Sequence, residues 1–394
     1  MQAKIVFTFI DLFSGIGGFR IPLEELGGKC LGFSEIDKHS IDVYKKNFGD
    51  IDIELGDITK LNKLPFNNID LIVGGIPCQA WSGAGKMKGF DDPRGRLWFD
   101  AIRLVKENKP KAFIFENVKG LIDPRNRASL DLILSSLRGI GYTITDPQLL
   151  NSSHFGLSQN RERVFIVGLR NDLKNLEDFK YPEPIKKTNK STDFFTLCDT
   201  RNGLNTVHSW DIIQTSVREK EICFVLLRNR RKKIYGNFDG NPLSLNNLQK
   251  LIPDLKESEL NSLVSKNILR LIDKNYDFVN SKNSSGINGI YRVYLPGSNN
   301  FPTLTATGTK DMIALNSVEG KANFIDEIIN KKLYRPISVK EAGNLQGFPD
   351  WFIAHDDPKV ARKQFGNAVS VPVIFHLGQS LIKTNIFANE THPL

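Results

Sequence analysis

The order of segments at the start of the chain constrains the fold most strongly. An apolar, β-branched run at residues 5–10 leads directly into the glycine-rich segment 11–19, and residues 19–26 have the pattern of a helix. A strand, a glycine-rich turn and a helix begin a doubly wound α/β domain, where the turn lets a nucleotide-like ligand approach the backbone. Many such glycine patterns are merely tight turns, so the interpretation depends on the segments that follow.

Acidic residues stand at the ends of three further predicted strands. Glu35 ends the second strand, Asp57 follows a short third one, and Glu116 ends the strand at residues 112–115. The carboxyl ends of parallel strands meet at one edge of the sheet, where ligands bind, so we expect these carboxylates there. Glu35 suits a ribose hydroxyl, but it equally suits the N-terminus of the helix predicted at residues 39–47.

A cysteine follows the fourth predicted strand. The strand at residues 69–73 runs into Gly-Gly-Ile-Pro at 74–77, and Cys78 comes next. Most single cysteines are small buried apolar residues, and as such they need no turn of this kind. A thiolate at the carboxyl end of a strand is instead placed to act as a nucleophile. The stretch by itself does not identify what the sulfur attacks.

Composition narrows the class of partner. The formal net charge of +9 favours a polyanionic partner, although many basic proteins bind none. No pair of cysteines has the spacing of a zinc site, the histidines are scattered, and no apolar run approaches the length of a membrane span. With no secretory signal at the first residues, the cysteines are expected to be reduced thiols in the cytoplasm.

A glycine-rich, basic loop follows the cysteine at residues 82–95. It lacks apolar periodicity, and Ser82, Lys86 and Arg94 could contact a phosphate backbone. The alternative is an ordinary solvated loop.

Two arginines stand immediately before the strand predicted at residues 164–167. Arg161 and Arg163 occupy alternate positions after Gln159, so they are expected to point the same way. They could bind an oxygen-rich ligand or pair with acidic neighbours, and the spacing does not decide between these.

The regular alternation stops in the middle of the chain. Residues 186–335 are rich in Asn, Ser and Lys and are expected to form a smaller, irregular β-rich domain with a helical insert near 245–272. A basic run at 228–235 includes Arg228 and Arg230; such runs are usually solvated, but the net charge favours nucleic-acid contact here. Residues 1–185 and 360–394 then form the catalytic and cofactor-binding domain, with 336–359 as a connecting segment.

Taken together, these segments resemble the cytosine-5 DNA methyltransferases of bacterial restriction-modification systems. In order, they are similar to that family's cofactor loop, its Pro-Cys-Gln, Glu-Asn-Val and Gln-x-Arg-x-Arg motifs, and its two closing motifs: residues 11–19, 75–79, 116–118, 159–163, 335–349 and 364–373. In the middle region, residues 303–306 resemble a Thr-Leu element of the family's target-recognition domain. Two positions depart from the pattern: Ile76, where proline or phenylalanine is commoner, and Ala84, where some relatives have serine.

The resemblance implies a fold and a reaction. The fold is a Rossmann-like large domain that depends on S-adenosylmethionine, with a smaller target-recognition domain. Cys78 would add to carbon 6 of cytosine, and Glu116 would hold a proton at ring nitrogen 3. Arg163 would bind the ring carbonyl, with Arg161 beside it. Carbon 5 would then take the methyl group of S-adenosylmethionine, without any metal.

The resemblance also implies binding residues. The cofactor pocket would consist of Phe13, Ser14, Gly15, Gly17, Gly18, Glu35, Ile36, Asp57, Ile58, Pro77, Leu97, Asn367 and Val369. The DNA contacts would include Gln79, Ser82, Lys86, Arg94, Gln159, Arg228, Arg230 and Thr303. The target base must be flipped out of the duplex, since its reacting atoms are inaccessible inside it.

The expected partner is double-stranded DNA. A cognate endonuclease would act on the same site without needing to bind the chain, which is expected to be a monomer in the bacterial cytoplasm. Three alternatives stay open at this point: a tRNA cytosine-5 methyltransferase, a catalytically silent DNA-binding relative, and an NAD oxidoreductase suggested by the glycine loop alone.

Overall fold

The computed structural model describes residues 5–50, 53–77, 81, 89–174, 176–185, 194–197, 205–237, 240–279, 286–287, 289–298, 301–306 and 311–388. The chain divides into two compact units. Unit 1 comprises Met1–Asn189, Pro302–Gly308 and Ser338–Leu394, and unit 2 comprises Lys190–Phe301 and Thr309–Ile337. This division differs from the one expected from composition, because 302–308 and the segment after 337 belong to unit 1.

Unit 1 is built on an eight-stranded sheet of order β3-β2-β1-β4-β5-β9-β6, with β7 also paired to β9. Strands β1 to β5 are parallel, and β9 runs antiparallel to β5. The strands are β1 Phe7–Leu12, β2 Gly28–Ser34, β3 Ile53–Glu54, β4 Leu71–Gly75, β5 Ala112–Val118, β6 Tyr142–Ile144, β7 Gln148–Asn151 and β9 Glu162–Arg170, and the short strand β8 spans Gln159–Asn160.

Unit 1 also contains α-helices, and some of them pack against each face of this sheet. They are α1 Arg20–Glu25, α2 Lys38–Phe48, α3 Leu97–Asn108, α4 Arg127–Gly139, α10 Val339–Gln346, α11 Pro358–Asn367 and α12 Val371–Lys383, numbered with those of unit 2 in chain order. Alternate residues of β1 serve different cores: Ile10 packs in the cluster that contains Trp98 of α3, whereas Phe9 packs in the cluster that contains Leu377 of α12. The doubly wound arrangement predicted from the sequence is therefore confirmed.

One apolar stretch of unit 1 has the length and composition of a membrane span. Among the described residues this stretch is Pro358–Lys383, whereas no such stretch was expected from the sequence. It consists of two separate helices, α11 and α12, and 56% of its most apolar window is buried inside the protein. Leu377 and Leu381 pack in the core, as expected for a core helix.

Unit 2 contains a five-stranded sheet of order β11-β10-β15-β17-β18 and a three-stranded sheet of order β12-β14-β13. Its strands are β10 Phe194–Leu197, β11 Thr206–Val207, β12 Leu243–Ser244, β13 Leu269–Ile272, β14 Asn275–Phe278, β15 Arg292–Tyr294, β17 Asp311–Ala314 and β18 Tyr334–Pro336, and β16 Phe301–Pro302 spans the boundary between the units. Its helices are α5 Ser209–Ile212, α6 Val217–Asn229, α7 Leu245–Gln249, α8 Glu257–Ser265 and α9 Lys321–Asn323.

The helical insert of unit 2 ends earlier than expected. Helix α8 ends at Ser265, and the last residues of the predicted segment form strand β13 instead. Asn267 has a positive φ of 56°, a conformation that ends a helix. An additional helix, α6, precedes the insert; it begins at a capping box of Ser216 and Glu219.

Candidate active site

The carboxyl ends of β4 and β5 form the centre of the site. Gly75 lies opposite Glu116 in the parallel register of these strands. A Cβ atom on Gly75 would lie 3.5 Å from Oε2 of Glu116 and 3.9 Å from a methyl group of Val369. A larger side chain at position 75 would meet both groups, so the glycine keeps the space beside the carboxylate open.

Glu116 forms an ion pair across the sheet. Its Oε1 lies 2.8 Å from Nε of Arg163, and the two side chains are 9% and 18% exposed. Arg163 is the second residue of the antiparallel strand β9, where it is paired with Val118 of β5. A desolvated ion pair of this kind holds both side chains in fixed positions, and breaking it by removing one partner is costly.

Asn117 fixes the turn that leads to the cysteine. The side chain is buried; its amide nitrogen donates to the carbonyl of Ile76 at 3.1 Å, and its Oδ1 accepts from the backbone N–H of Val118 at 2.9 Å. The N–H of Ile76 donates to the carbonyl of Glu116 at 3.2 Å. The half-buried Pro77 follows, and Cys78 lies outside the described residues.

The role of Asn117 was not recognised from the sequence. Its position inside a buried strand was the available signal, because a buried amide requires hydrogen-bond partners.

The glycine-rich loop after β1 is a folded turn. Glu35, which directly follows β2, is hydrogen-bonded to this loop. Phe13 and Gly15 have positive φ values of 53° and 54°. The N–H of Gly15 donates to Oε2 of Glu35 at 2.9 Å, and Oε1 of Glu35 accepts from the N–H groups of Ile36 and Asp37 at 2.7 and 2.9 Å. The side chain that caps the N-terminus of α2 is that of Asp37 and not that of Glu35.

Two further glycines of this loop pack closely. A Cβ atom on Gly17 would lie 2.3 Å from the ring of Phe48, and one on Gly18 would lie 2.9 Å from Val369. Gly18 and Gly75 thus both approach Val369, which brings the glycine loop and the end of β4 together.

The remaining predicted pocket residues differ in exposure. Ile36 is 73% exposed. Thr59 donates its N–H and its hydroxyl to Oδ1 of Asp57, and these hydrogen bonds lower the pKa of Asp57. Ile58 packs in the apolar core, so its side chain offers little surface to a ligand. Leu97 is half-buried at the start of α3 and Asn367 is exposed at the end of α11.

Two polar side chains, Asp11 at the end of β1 and Ser14 in the loop that follows, are buried. Among the described residues, neither oxygen of Asp11 nor the hydroxyl of Ser14 has a hydrogen-bond partner. Burial raises the pKa of Asp11 well above its usual range, Arg20 opposes this, and Glu35 and Glu24 reinforce it. Buried polar groups of this kind normally find a partner, so a ligand with polar atoms suits this loop.

Arg161 and Gln159 are buried in unit 1, contrary to expectation. Arg161 is 2% exposed, and its guanidinium donates to the carbonyls of Leu304, Gly366 and Ala368. The fully buried amide of Gln159 accepts from the N–H of Leu304 and donates to the carbonyl of Leu345. We therefore correct two expectations: Gln159 is buried rather than exposed to a DNA partner, and the guanidinium of Arg161 is bound to backbone carbonyls rather than open to a target base.

Arg230 requires the same correction. It is 3% exposed in unit 2, and its Nη2 lies 2.8 Å from Oδ1 of Asp277. Leu226 and Leu227, four and three positions earlier, are buried as well, and this helical spacing was a signal that Arg230 faces the core.

The other predicted DNA contacts have varied positions. Arg228 is exposed, and the exposed Arg94 is held by the carboxylate of Asp92. The hydroxyl of Thr303 donates to the carbonyl of Asn160 at 2.8 Å. Gln79, Ser82 and Lys86 lie outside the described residues.

Comparison with known proteins identifies the family. A model described as "C-5 cytosine-specific DNA methylase" matches residues 7–383. The chain is 46% identical to the Type II methylase M.HgiEI of Herpetosiphon aurantiacus, with 98% of each chain covered. It is 32% identical to the Type II methyltransferase M.BanI of Aneurinibacillus aneurinilyticus, with 96% of each covered.

The chain belongs to the C-5 cytosine-specific DNA methylase family.

Its fold agrees with this family. The structure of the Dnmt2 methyltransferase of S. pombe matches at a TM-score of 0.55 and 18% identity, covering 95% of this chain and 98% of that one. The family resemblance inferred from the sequence is confirmed, and so is the reaction: transfer of a methyl group to carbon 5 of cytosine in DNA, in restriction-modification systems. The whole-chain similarity to Type II enzymes supports this reading over the tRNA alternative.

The described parts of the chain were also compared with the ligand sets of metal sites. Among those residues, no group of three or more His, Cys, Asp or Glu side chains is arranged to hold a metal ion.

Proposed function

We propose that the chain is a sequence-specific enzyme that uses S-adenosylmethionine and acts on a cytosine flipped out of duplex DNA. The observation that carries this proposal is the buried Glu116–Arg163 pair, at 2.8 Å, beside the turn that leads to Cys78. It supplies a carboxyl group and a guanidinium at the strand edge from which the chain continues to Cys78, and a pyrimidine ring requires both groups.

Carbon 5 of cytosine is a poor nucleophile, and the proposed roles overcome this in steps. The thiolate of Cys78 forms a bond to carbon 6, and the ring's electron density moves toward carbon 5. Glu116 holds a proton at ring nitrogen 3, which neutralises the charge that the addition places on the ring. Arg163 orients Glu116 and binds the ring carbonyl. After methyl transfer, a base such as water takes the carbon 5 proton, the electron pair of that C–H bond re-forms the ring double bond, and the sulfur leaves carbon 6 as a thiolate.

The glycine loop fits S-adenosylmethionine, which when bound supplies an electrophilic methyl group. The cofactor carries a sulfonium and an ammonium group, and the buried Asp11 and Ser14 are polar groups that such a ligand would satisfy. We propose that Phe13, Gly15 and Gly17 line the cofactor, that Glu35 binds its ribose, and that Ile36 and Asp57 contact its adenine. Leu97, Pro77, Asn367, Val369 and Gly18 complete this proposed pocket.

Unit 2 is proposed to read the DNA sequence. Its exposed basic residues, including Arg228, are suited to the phosphate backbone, which supplies affinity without specificity. Thr303 and Arg94 are proposed as further contacts. We also propose that the chain acts as a monomer in the bacterial cytoplasm, at the site that a cognate endonuclease cleaves.

Bisulfite sequencing of DNA from cells that express the chain tests the proposal. One cytosine within a fixed flanking sequence should be protected from conversion, and Cys78→Ser should abolish this protection. Protection without a shared flanking sequence would contradict sequence-specific reading. Methylation of tRNA without methylation of DNA would contradict the substrate.

A further inference from the structure

We propose that Arg161 is a positioning residue that couples DNA binding to cofactor binding. The inference rests on the proposed function, because it takes S-adenosylmethionine as the ligand of the pocket wall at residues 366–369. It assigns to Arg161 a role different from that of Arg163, although the two stand at alternate positions in the sequence.

The guanidinium of Arg161 joins two distant segments of unit 1. Nη1 donates to the carbonyl of Leu304 at 3.0 Å and to that of Gly366 at 3.3 Å, and Nη2 donates to the carbonyl of Ala368 at 2.8 Å. These acceptors are backbone atoms at sequence separations of 143, 205 and 207 residues.

Both segments adjoin functional regions. Residues 302–306 are a short return of the chain to unit 1 between two parts of unit 2, so their position is tied by the chain to the proposed DNA reader. Gly366 and Ala368 stand on either side of Asn367, and Val369 follows Ala368. Asn367 and Val369 are the residues of this segment that belong to the proposed cofactor pocket. One buried side chain thus holds a DNA-linked segment and the cofactor wall together.

Neighbouring contacts make this junction tight. Oε1 of Gln159 accepts from the N–H of Leu304 at 2.6 Å, so both polar groups of the Leu304 backbone are held from the 159–161 segment. A Cβ atom on Gly366 would lie 2.4 Å from the backbone of Thr305. The backbones of the two segments are therefore in direct contact at Gly366, with no side chain between them. A shift of one segment displaces the other.

The chemistry of the junction requires arginine. The planar guanidinium presents five N–H donors in a rigid fork, so it can bind carbonyls of two segments at once. A lysine retains the charge but has a single nitrogen on a flexible chain, so it cannot reproduce the fork. Arg161→Lys should leave a positive charge in place and loosen the connection between the two segments.

The test is a binding cycle. S-adenosylhomocysteine, which cannot donate a methyl group, is titrated calorimetrically into the full chain. The titration is made with and without a DNA duplex that carries the sequence which the enzyme methylates. In the wild type, DNA should change the cofactor dissociation constant by about 5-fold or more, a common size for coupled sites. In Arg161→Lys this ratio should fall to within about 2-fold of unity, by the same linkage.

Arg170→Lys is the matched control. Arg170 ends β9, the strand that follows Arg161, and also binds a backbone carbonyl, that of Lys109, but its carboxylate partner is Asp172 and neither of these partners belongs to the junction. Its coupling ratio should equal that of the wild type. A purely structural role of Arg161 would weaken cofactor binding equally with and without DNA and leave the ratio unchanged, which would overturn the proposal.

A measurement on the wild type covers the case in which Arg161→Lys does not fold. Hydrogen exchange of the amides at residues 364–370 should slow when DNA binds in the absence of cofactor. Unchanged exchange there, or a wild-type coupling ratio of one in a chain that methylates DNA, contradicts the coupling alone. Absence of methyl transfer by the wild type would instead contradict the proposed function.

Discussion

Arg163 on β9 reaches across to Glu116 on β5, where Nε and Oε1 meet at 2.8 Å with both side chains largely buried. The two residues lie at the carboxyl edge of the sheet, beside the glycine pair that ends β4. The pair fixes a carboxyl group next to the turn that precedes Cys78. Its consequences for the reaction can be separated from its consequences for binding.

Glu116→Gln should reduce methyl transfer much more than DNA binding. The substitution keeps the shape of the side chain but removes the group that holds the ring proton, a contribution of about 100-fold to 10,000-fold. Single-turnover transfer and the dissociation constant for DNA measure the two effects separately. Glu162→Gln is the control, because Glu162 pairs with Lys119 at the surface, and it should have little effect. Equal losses of transfer and binding in Glu116→Gln would refute the assigned role.

Asn117→Asp should slow transfer and destabilise unit 1. An oxygen would replace the amide nitrogen that faces the carbonyl of Ile76, so a hydrogen bond becomes a repulsive contact. We expect the free energy of unfolding to fall by about 1–3 kcal/mol, since a buried acceptor is left unsatisfied. Denaturant unfolding and single-turnover rates provide the test. Normal turnover in a destabilised variant would show that Asn117 does not position the turn before Cys78.

Gly17→Ala should weaken cofactor binding more than Gly15→Ala. Both glycines have positive φ values, so both alanines are strained, but their surroundings differ. A Cβ atom on Gly17 would overlap the ring of Phe48, whereas none of the described atoms lies within 4 Å of one on Gly15. Calorimetric titration with S-adenosylhomocysteine should rank the variants in that order. The reverse order would contradict the packing described for the loop.

Residues at strand ends are the part of the candidate site whose position the sequence predicts. Glu116 and Glu35 were expected at the carboxyl edge of the sheet because each follows an apolar strand, and strand ends are visible in the sequence. Arg161 could not be distinguished from Arg163 in this way. The partners of Arg161 are carbonyls more than 140 residues away, and carbonyls have no signature in a sequence.

The prediction that the basic run in unit 2 is exposed was wrong for Arg230, for a related reason. Charge suggests exposure, but Arg230 continues the buried face of α6 and pairs with Asp277. The partner lies on β14, and pairing of that strand with the rest of unit 2 is set by tertiary structure rather than by local pattern. Helical spacing from Leu226 was available as a local clue, but it did not identify the carboxylate.

The stability of unit 2 should depend on pH through Glu219. Burial by itself would raise the pKa of Glu219, but hydrogen bonds from Lys266, the N–H of Ser216 and Ser262 lower it to about 2. A lowered pKa stabilises the folded state above the unfolded-state pKa, and this contribution is lost as the pH falls through the folded-state pKa.

The wild type should therefore exceed Glu219→Gln in unfolding free energy by roughly 2 kcal/mol at neutral pH, as expected for charged hydrogen bonds. The difference should be constant above about pH 5 and shrink progressively toward pH 2. Chemical denaturation at several pH values, followed by a probe in unit 2, measures it. A difference that grows on acidification would contradict the assignment.

The central claim is that Cys78 forms a covalent bond with the target cytosine at the edge where Glu116 and Arg163 meet. DNA with 5-fluorocytosine at the methylated position tests this directly, because a base cannot remove fluorine from carbon 5 as it removes a proton, so the elimination is blocked and the adduct is trapped. With S-adenosylmethionine present, mass spectrometry under denaturing conditions should show a one-to-one protein–DNA adduct for the wild type and none for Cys78→Ser. An adduct that persists in Cys78→Ser, or none in a wild-type chain that methylates DNA, would contradict the account.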